Sequence, residues 1–278
     1  MGLLERNFKG NKSITMSNFK GKTVIVTGAG MGLGLAASKV LAKKGANLSI
    51  VDYNEEALQK AKAELLSEAP EAKILTVVAD VSDENAVKNY VEKTVSEFGQ
   101  IDGFYNNAGI EGKQAPLVDY DLEVFKKVID INLMGVYYGL KHVIPVMQKN
   151  GGGKIVNVAS VGGIRGVINQ MPYVASKHAV SGMTKNAAIE YGKDGVFTNA
   201  IAPGAILTPM VAEAFKQVNP SDPAAAEKEY AQRNPTRRLG APENVGNLVA
   251  FLLSDECQYV NGQTIAIDGG ESNLYGNS

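Results

Sequence analysis

The sequence predicts a fold of the α/β class: a single domain built on a doubly wound, seven-stranded parallel sheet. Three observations lead to it. Short apolar runs alternate with longer helical patterns, the apolar runs are continuous, and a glycine-rich turn follows the first of them. Continuous apolar runs are typical of parallel strands that helices cover on both faces. The predicted strands are residues 23–27, 47–51, 74–78, 101–105, 154–158, 196–201 and 264–267.

Helical patterns separate these strands, as right-handed strand–helix–strand units require. The shorter patterns cover residues 33–44 and 55–67, and the two longest cover residues 121–150 and 173–193. The alternation therefore favours one sheet with helices on both of its faces.

The chain contains no linker rich in Pro, Gly or Ser that would divide it, so residues 21–278 are predicted to form one domain. Residues 1–20 are polar and basic, and we expect them to be a mobile leader. Residues 208–234 interrupt the alternation with helical patches at 210–217 and 224–231. Late insertions of this kind cover the ligand crevice of doubly wound folds, although a plain surface excursion is the alternative.

Composition excludes several classes of function. The chain carries 28 basic and 29 acidic residues, which gives no basic surface for nucleic acid or an anionic membrane. No stretch approaches the roughly 20 apolar residues of a membrane helix. Cys257 is the only cysteine, so a cytoplasmic, reducing location is expected. His142 and His178 lack a third ligand at suitable spacing, and no metal is expected.

The first predicted strand leads into a turn with the sequence Thr27-Gly28-Ala29-Gly30-Met31-Gly32-Leu33-Gly34. Such a turn lets backbone N–H groups and the positive end of the following helix face a pyrophosphate. Position 33 is Leu, so the common dinucleotide fingerprint does not fit. The spacing instead fits Thr-Gly-x-x-x-Gly-x-Gly, with Gly28, Gly32 and Gly34. A tight turn without a ligand is the alternative.

Asp52 lies at the end of the second predicted strand, 18 residues after Gly34. A carboxylate there accepts hydrogen bonds from the hydroxyls of an adenosine ribose and repels a 2′-phosphate. No Arg or Lys stands at positions 29–34 or 52–54 to offset that repulsion. This pattern favours NAD over NADP, although a helix cap is another use for Asp52.

Tyr173 and Lys177 stand four residues apart, which places both on one face of a helix. Free tyrosine has a pKa of about 10, and a neighbouring lysine cation lowers that pKa by favouring the phenolate. Ser160 ends the fifth predicted strand, 13 residues before Tyr173, where its hydroxyl could hold a substrate oxygen. The three residues predict proton transfer to or from an oxygen.

Together these motifs resemble the short-chain dehydrogenase/reductase family, a group of enzymes with the Rossmann fold. The resemblance covers about residues 20–270 and includes residues 27–34, Asp80, Val81, 106–109, Asn132, Ser160, Tyr173, Lys177, Pro203 and Gly204. It implies that Tyr173 is the general acid/base and that Ser160 orients the carbonyl. It also implies that Lys177 assists Tyr173 and binds ribose, while Asn132 supports a proton-relaying water.

The resemblance further implies which residues contact NAD and which contact substrate. The cofactor-binding residues are Gly28, Met31, Gly32, Leu33, Gly34, Asp52, Tyr53, Asp80, Val81, Asn107, Ala108, Gly109, Tyr173, Lys177, Pro203, Gly204, Ile206 and Thr208. The substrate-binding residues are Ser160, Gly162, Ile168, Tyr173 and Met210.

The predicted function is interconversion of a secondary alcohol and a ketone with NAD(H). Segments 111–114, 159–166 and 199–210 resemble those of members that reduce one carbonyl of a cyclic diketone, so a cyclic ketone is expected. Another small alcohol, diol or sugar is the first alternative, and a non-catalytic nucleotide-sensing regulator is the second. An epimerase or dehydratase would need a larger C-terminal domain than this chain has. Family members pair their long helices between subunits, which implies a homotetramer.

Overall fold

The computed structural model describes residues 18–274, and its centre is one fully parallel sheet of seven strands. The sheet has the order β3-β2-β1-β4-β5-β6-β7. The strands are β1 (Thr23–Thr27), β2 (Asn47–Asp52), β3 (Ile74–Val78), β4 (Gly103–Asn106), β5 (Gly153–Val158), β6 (Val196–Pro203) and β7 (Thr264–Ile267). The fold class predicted from the sequence is therefore confirmed.

Helices follow the strands and cover both faces of the sheet. They are α1 (Gly32–Lys43), α2 (Glu55–Glu68), α3 (Glu84–Phe98), α4 (Leu122–Ile129), α5 (Gly135–Lys149), α6 (Met171–Tyr191), α7 (Pro209–Val218), α8 (Pro223–Arg233) and α9 (Pro242–Leu253). Among the described residues, no helix is long and apolar enough to cross a membrane.

The core is divided by the sheet into two apolar clusters. Helices α1, α2 and α9 pack on one face, where Leu41 and Val249 are fully buried. Helices α3, α5 and α6 pack on the other face, where Phe104 of β4 and Tyr90 of α3 are fully buried. Burial on both faces explains why the strands read as continuous apolar runs.

The chain reverses its direction of winding at β1, which pairs with β2 on one side and with β4 on the other. A crevice opens beyond the carboxyl ends of the strands at such a switch point, and ligands bind there in open α/β sheets. The turns after β1, β2, β4, β5 and β6 all end at this edge, so the topology collects the predicted site residues there.

Several predicted elements differ from the observed ones. The helix predicted at 121–150 consists of α4 and α5 joined by a π-helical turn, Asp130–Met134. The patches predicted within 208–234 are α7 and α8. Of the predicted leader, residues 1–17 lie outside the described part, whereas Phe19 is buried and its N–H donates to the carbonyl of Lys44 at 2.9 Å.

Candidate active site

The turn between β1 and α1 is folded so tightly that its Gly28 and Gly34 positions leave no room for a side chain. Gly28 and Gly32 have φ angles of +63° and +56°, in the left-handed region that favours glycine. A Cβ on Gly34 would lie 2.1 Å from the carbonyl oxygen of Gly28. No described side chain caps the start of α1, which begins at Gly32 next to Met31, so its first N–H groups face the crevice.

The end of β4 holds this turn in place. The amide Nδ2 of Asn107 donates to the carbonyl of Thr27 at 2.8 Å and to that of Gly28 at 3.3 Å. In return, the backbone N–H groups of Asn107 and Ala108 donate to the Thr27 hydroxyl at 2.9 and 3.1 Å. These hydrogen bonds fix the turn across the switch point.

Asp52 ends β2 directly beside the turn. Its Oδ2 accepts from the N–H of Gly30 at 2.9 Å, and its Oδ1 accepts from the N–H of Asn54 at 3.0 Å. Asp52 is buried, while the adjacent Tyr53 is exposed. Each carboxylate oxygen keeps a free lone pair, so the group can accept further hydrogen bonds from hydroxyls in the crevice.

The segment after β3 forms the next part of the rim. The Oδ1 of Asp80 accepts from the N–H and hydroxyl of Ser82 at 2.9 and 2.7 Å, which shapes a turn before α3. Val81 is buried against α5, where a Cβ on Gly135 would lie 2.8 Å from the Val81 side chain. Asp80 and Val81 therefore border the crevice mainly as parts of a fixed turn.

Ser160, Tyr173 and Lys177 meet at the carboxyl end of β5. The Ser160 hydroxyl accepts from the N–H of Gly162 at 3.1 Å, which leaves its own proton available. The ammonium of Lys177 is buried, donates to the carbonyl of Val158 at 2.8 Å and lies 5.6 Å from the centroid of the Tyr173 ring. Helix α6 carries Tyr173 and Lys177 on the face predicted from their spacing.

The expected lowering of the tyrosine pKa is wrong for this structure. Desolvation raises the pKa of Tyr173 above its usual value, with the Ser160 hydroxyl opposing and the Glu111 carboxylate reinforcing that shift. Burial also lowers the pKa of Lys177 to about 8. The lysine is itself desolvated and donates to Val158, and its charge does not offset the desolvation of Tyr173 in this arrangement.

Asn132 lies in the π-helical turn and is fully buried. Its Oδ1 accepts from the N–H of Ile110 at 2.8 Å, and its Nδ2 donates to the Ile110 carbonyl at 2.7 Å. A Cβ on Gly109 would lie 3.1 Å from the Asn132 oxygen and 3.4 Å from the Lys177 nitrogen. Asn132 therefore fixes the loop after β4, with Gly109 between it and Lys177.

The end of β6 and the segment after it form the wall opposite the turn. Gly204 donates its N–H to the Ile267 carbonyl at 3.1 Å directly after Pro203. Ile206 is buried and forms an isolated parallel β-bridge with Gly240, which holds this segment in place. Thr208 caps α7, and a Cβ on Gly32 would lie 3.7 Å from its side chain, which brings this wall to the phosphate-binding turn.

The predicted substrate residues differ in their positions. Gly162 lies beside the catalytic tyrosine, since a Cβ there would be 3.5 Å from the Tyr173 ring. Ile168 is 84% exposed and Met210 is 42% exposed, so neither side chain is enclosed in a pocket. Ile164, Met171 and Leu207 are also exposed apolar residues. Val167 is the apolar side chain next to Gly162, since a Cβ on Gly162 would also be 3.5 Å from it.

Glu111 belongs to segment 111–114, which the family resemblance includes, but the sequence motifs assign it no individual role. Its carboxylate Oε1 accepts from the side-chain amides of Gln114 at 3.1 Å and Gln170 at 2.5 Å. Burial raises its pKa, and its charge also raises the pKa of Tyr173, which places it near the phenol. Gln114 and Gln170 are 56 residues apart, so the sequence gives no direct sign that both bind Glu111.

Metal ligands are not grouped near these residues. Within residues 18–274, no cluster of three His, Cys, Asp or Glu side chains could hold a metal ion. The titratable groups described beside Tyr173 are the Lys177 ammonium and the Glu111 carboxylate.

Comparison with known proteins agrees with this geometry. A protein-family model described as Enoyl-(Acyl carrier protein) reductase matches residues 28–272. The chain is 51% identical to levodione reductase of Leifsonia aquatica over 259 residues, covering 93% of this chain and 97% of that protein. The chain belongs to the short-chain dehydrogenase/reductase family. It is thus an oxidoreductase, and the resemblance carried by its motifs is confirmed.

Other family members support the same placement. The chain is 38% identical to cyclohexanol dehydrogenase of Acinetobacter sp. (strain SE19), covering 93% of this chain and 98% of that protein. The crystal structure of levodione reductase matches with a TM-score of 0.92, covering 93% of this chain and 100% of that one at 51% identity. NAD+-bound xylitol dehydrogenase matches with a TM-score of 0.87 at 35% identity, covering 91% and 99%.

We expect Gly34→Ala to weaken NADH binding at least tenfold, because the new Cβ cannot lie 2.1 Å from the Gly28 carbonyl and the turn must open. NADH fluorescence titration measures the dissociation constant. Gly182→Ala is the matched control, since a Cβ there meets nothing within 4 Å. Equal NADH affinity in Gly34→Ala and wild type would contradict the assignment of the turn.

Proposed function

We propose that this protein is an NAD(H)-dependent oxidoreductase that interconverts a cyclic secondary alcohol and the corresponding ketone. The observation that carries the proposal is the meeting of Ser160, Tyr173 and Lys177 at the crevice that the β1–α1 turn borders. The names of two relatives, levodione reductase and cyclohexanol dehydrogenase, support a six-membered carbocycle as substrate class.

The crevice fits a dinucleotide. The turn leaves uncapped N–H groups at the start of α1 for a pyrophosphate, and Asp52 offers free lone pairs to ribose hydroxyls. Bound NAD(H) supplies the acceptor or donor of hydride. The cofactor residues predicted from the sequence, from Gly28 to Thr208, lie at the carboxyl ends of the strands or in the segments that follow them, which supports their assignment as the binding site.

Proton transfer is assigned to Tyr173. Its hydroxyl donates a proton to the carbonyl oxygen during reduction and accepts one from the alcohol during oxidation. Ser160 holds the same substrate oxygen, because its proton is free while Gly162 fixes its oxygen. Lys177 contributes a nearby positive charge, and Asn132 holds the loop that closes this side of the site.

The substrate region combines an apolar rim with one carboxylate. Ile168 and Met210 provide apolar surface for a carbocycle, and Gly162 leaves room beside the tyrosine. Glu111 can accept a hydrogen bond from a second oxygen-bearing substituent of the substrate. A polyol is the second candidate, and the similarity to xylitol dehydrogenase favours it.

The function is tested by NADH oxidation with cyclohexanone, a cyclohexanedione and an acyclic ketone of equal size. We expect turnover with the cyclic ketones, and we expect Tyr173→Phe to lower it by about 10²–10⁴-fold while NADH binding is kept. Half of the wild-type rate in Tyr173→Phe would assign the proton to another group. NADH binding by the wild type, without NADH oxidation by any ketone and without NAD+ reduction by a polyol, would instead favour a nucleotide-sensing regulator.

NAD(H) is proposed over NADP(H) because the Asp52 carboxylate lies where a 2′-phosphate would meet it. We expect kcat/KM to be at least about tenfold higher with NADH than with NADPH, equivalent to about 1.4 kcal/mol. Asp52→Ala should narrow this ratio, whereas Asp119→Ala, which removes an exposed carboxylate, should not. Equal use of both cofactors by the wild type would contradict the proposal.

The two directions of the reaction should depend oppositely on pH. Desolvation raises the pKa of Tyr173, so the neutral phenol that reduction needs prevails near pH 7. Oxidation needs the phenolate, so its kcat/KM should rise toward alkaline pH while kcat/KM for reduction falls. Using kcat/KM excludes the release of the cofactor product. The same profile in both directions would exclude Tyr173 as the shared acid and base.

We also propose that the protein is a cytoplasmic homotetramer, because its long helices α4–α5 and α6 resemble those that pair between subunits in this family. Exposed Ile189 and Tyr137 on these helices offer apolar surface for such pairing. Multi-angle light scattering should give about four times the chain mass of 29.5 kDa at micromolar concentration. A mass of one chain would refute an oligomer.

A further inference from the structure

One buried carboxylate, that of Glu271, connects three elements around the crevice. We propose that Glu271, Arg165 and Tyr230, here called the Glu271 cluster, form a positioning device that holds α7 and α8 over the substrate. It thereby sets substrate affinity without taking part in proton transfer. The inference rests on the proposed function for its kinetic readout only.

Glu271 is bonded to both other members of the cluster. The Tyr230 hydroxyl of α8 donates to Glu271 Oε1 at 2.7 Å, and the Arg165 guanidinium pairs with the same oxygen. Arg165 Nη1 also donates to the Glu271 carbonyl at 3.5 Å. Glu271 is only 6% exposed while the Arg165 side chain is 38% exposed, so these charge-assisted bonds are shielded from water on the carboxylate side.

The three residues of the cluster lie on three different elements around the crevice. Arg165 follows Ser160 by five residues, and its N–H donates to the Val161 carbonyl at 3.0 Å in the turn that Ser160 caps. Glu271 lies beside the end of β6, since a Cβ on Gly204 would be 3.1 Å from its Oε2. Tyr230 belongs to the covering segment. The cluster therefore ties that segment to two walls of the catalytic crevice.

Contacts through α7 connect Tyr230 to the substrate opening. Tyr230 packs edge-on against Phe215 of α7, with ring centroids 5.7 Å apart. Helix α7 begins at the Thr208 cap near the phosphate-binding turn, and its Gln217 accepts from the N–H of Gln114 at 3.1 Å. It thus spans the opening from the cofactor side to the loop that carries Glu111. Anchoring α8 consequently anchors the helix over the site.

The cluster leaves two buried polar atoms without hydrogen-bond partners in the described part of the chain, which lowers its contribution to stability. Glu271 Oε2 and Arg165 Nε are buried and have no hydrogen-bond partner among the described residues. Buried charges with unused bonding capacity are poor contributors to stability compared with apolar packing. A purely structural role would be served better by apolar residues, whereas a device that fixes the relative positions of three elements needs directional bonds.

The experiment compares the wild type with Tyr230→Phe, Arg165→Met and the double variant. Tyr230→Phe removes one hydrogen bond and keeps the ring that packs on Phe215. We expect the KM for the ketone to rise about tenfold while kcat does not fall. Losing a bond to a charged acceptor lets α7 and α8 move away from the substrate more often, which weakens substrate binding. The KM increases of the two single variants should not multiply in the double variant, because both act through Glu271.

Hydrogen exchange measured without substrate provides a readout that does not depend on activity. Amides of residues 209–233 should exchange faster in Tyr230→Phe than in the wild type. Tyr259→Phe and Arg233→Met are the matched controls: Tyr259 is 100% exposed, and Arg233 pairs with Glu229 on the surface of α8. Both controls should keep the wild-type KM and exchange.

The outcomes separate the possibilities. A lower melting temperature with unchanged KM and unchanged exchange in 209–233 would reduce the cluster to a structural role and overturn the proposal. Multiplying KM effects would also overturn it, because Arg165 and Tyr230 would then act independently. If the wild type turns over no ketone, the proposed function fails, while the exchange measurements still test the cluster.

Discussion

The arrangement of the site depends on a lysine ammonium that the fold removes from water. Lys177 has a single hydrogen bond in the structure, to the carbonyl that ends β5, and its lowered pKa records the cost of its burial. Removing an ammonium from water is tolerable only where its surroundings are fixed and polar. Helix α6 must therefore stay docked on the end of β5, and this docking places Tyr173 and Ser160 together.

Close backbone approach provides the space for this arrangement. A Cβ on Gly163 would lie 2.7 Å from the Lys177 carbonyl, and one on Gly109 would lie between Asn132 and the ammonium. The loops after β4 and β5 can therefore press against α6 from two sides. The same principle operates at the phosphate-binding turn, where Gly34 packs directly on the Gly28 carbonyl. Absence of side chains, more than any one attraction, determines the shape of the crevice.

The sequence predicts those parts of the molecule that local pattern and burial determine together. Thr23–Thr27 is fully buried and forms the strand predicted for it. Ile101 was expected in a strand because it is apolar, and it is fully buried, yet β4 begins only at Gly103. An apolar pattern reports burial and does not report ladder pairing. Helices α3 and α9 are additional to the predicted ones, although Asp83 and Pro242 are start signals that could have located them.

The site residues divide in the same way. Short-range motifs located Ser160, Tyr173, Lys177 and the glycine turn, because their spacing along the chain is characteristic. Glu111 was covered only as part of segment 111–114 and Glu271 was not located, since each acquires its surroundings from residues 59 and 106 positions away in sequence. The direction of the Tyr173 pKa shift could not be predicted either. It depends on desolvation and on the way Lys177 points, and neither is encoded in a four-residue spacing.

The π-helical turn at Asp130–Met134 has a consequence for how the chain tolerates insertions and deletions. A π-turn holds one residue more than the α-helical path needs, and each residue advances an α-helix by about 100°. Deleting one residue there would restore a regular helix but rotate α4 relative to α5. Asn132 would then face away from Ile110, or α5 would lose its packing against α3. The continuous helix would be locally more regular and globally out of phase. The irregularity is what keeps two faces of one long helix in register with two different neighbours.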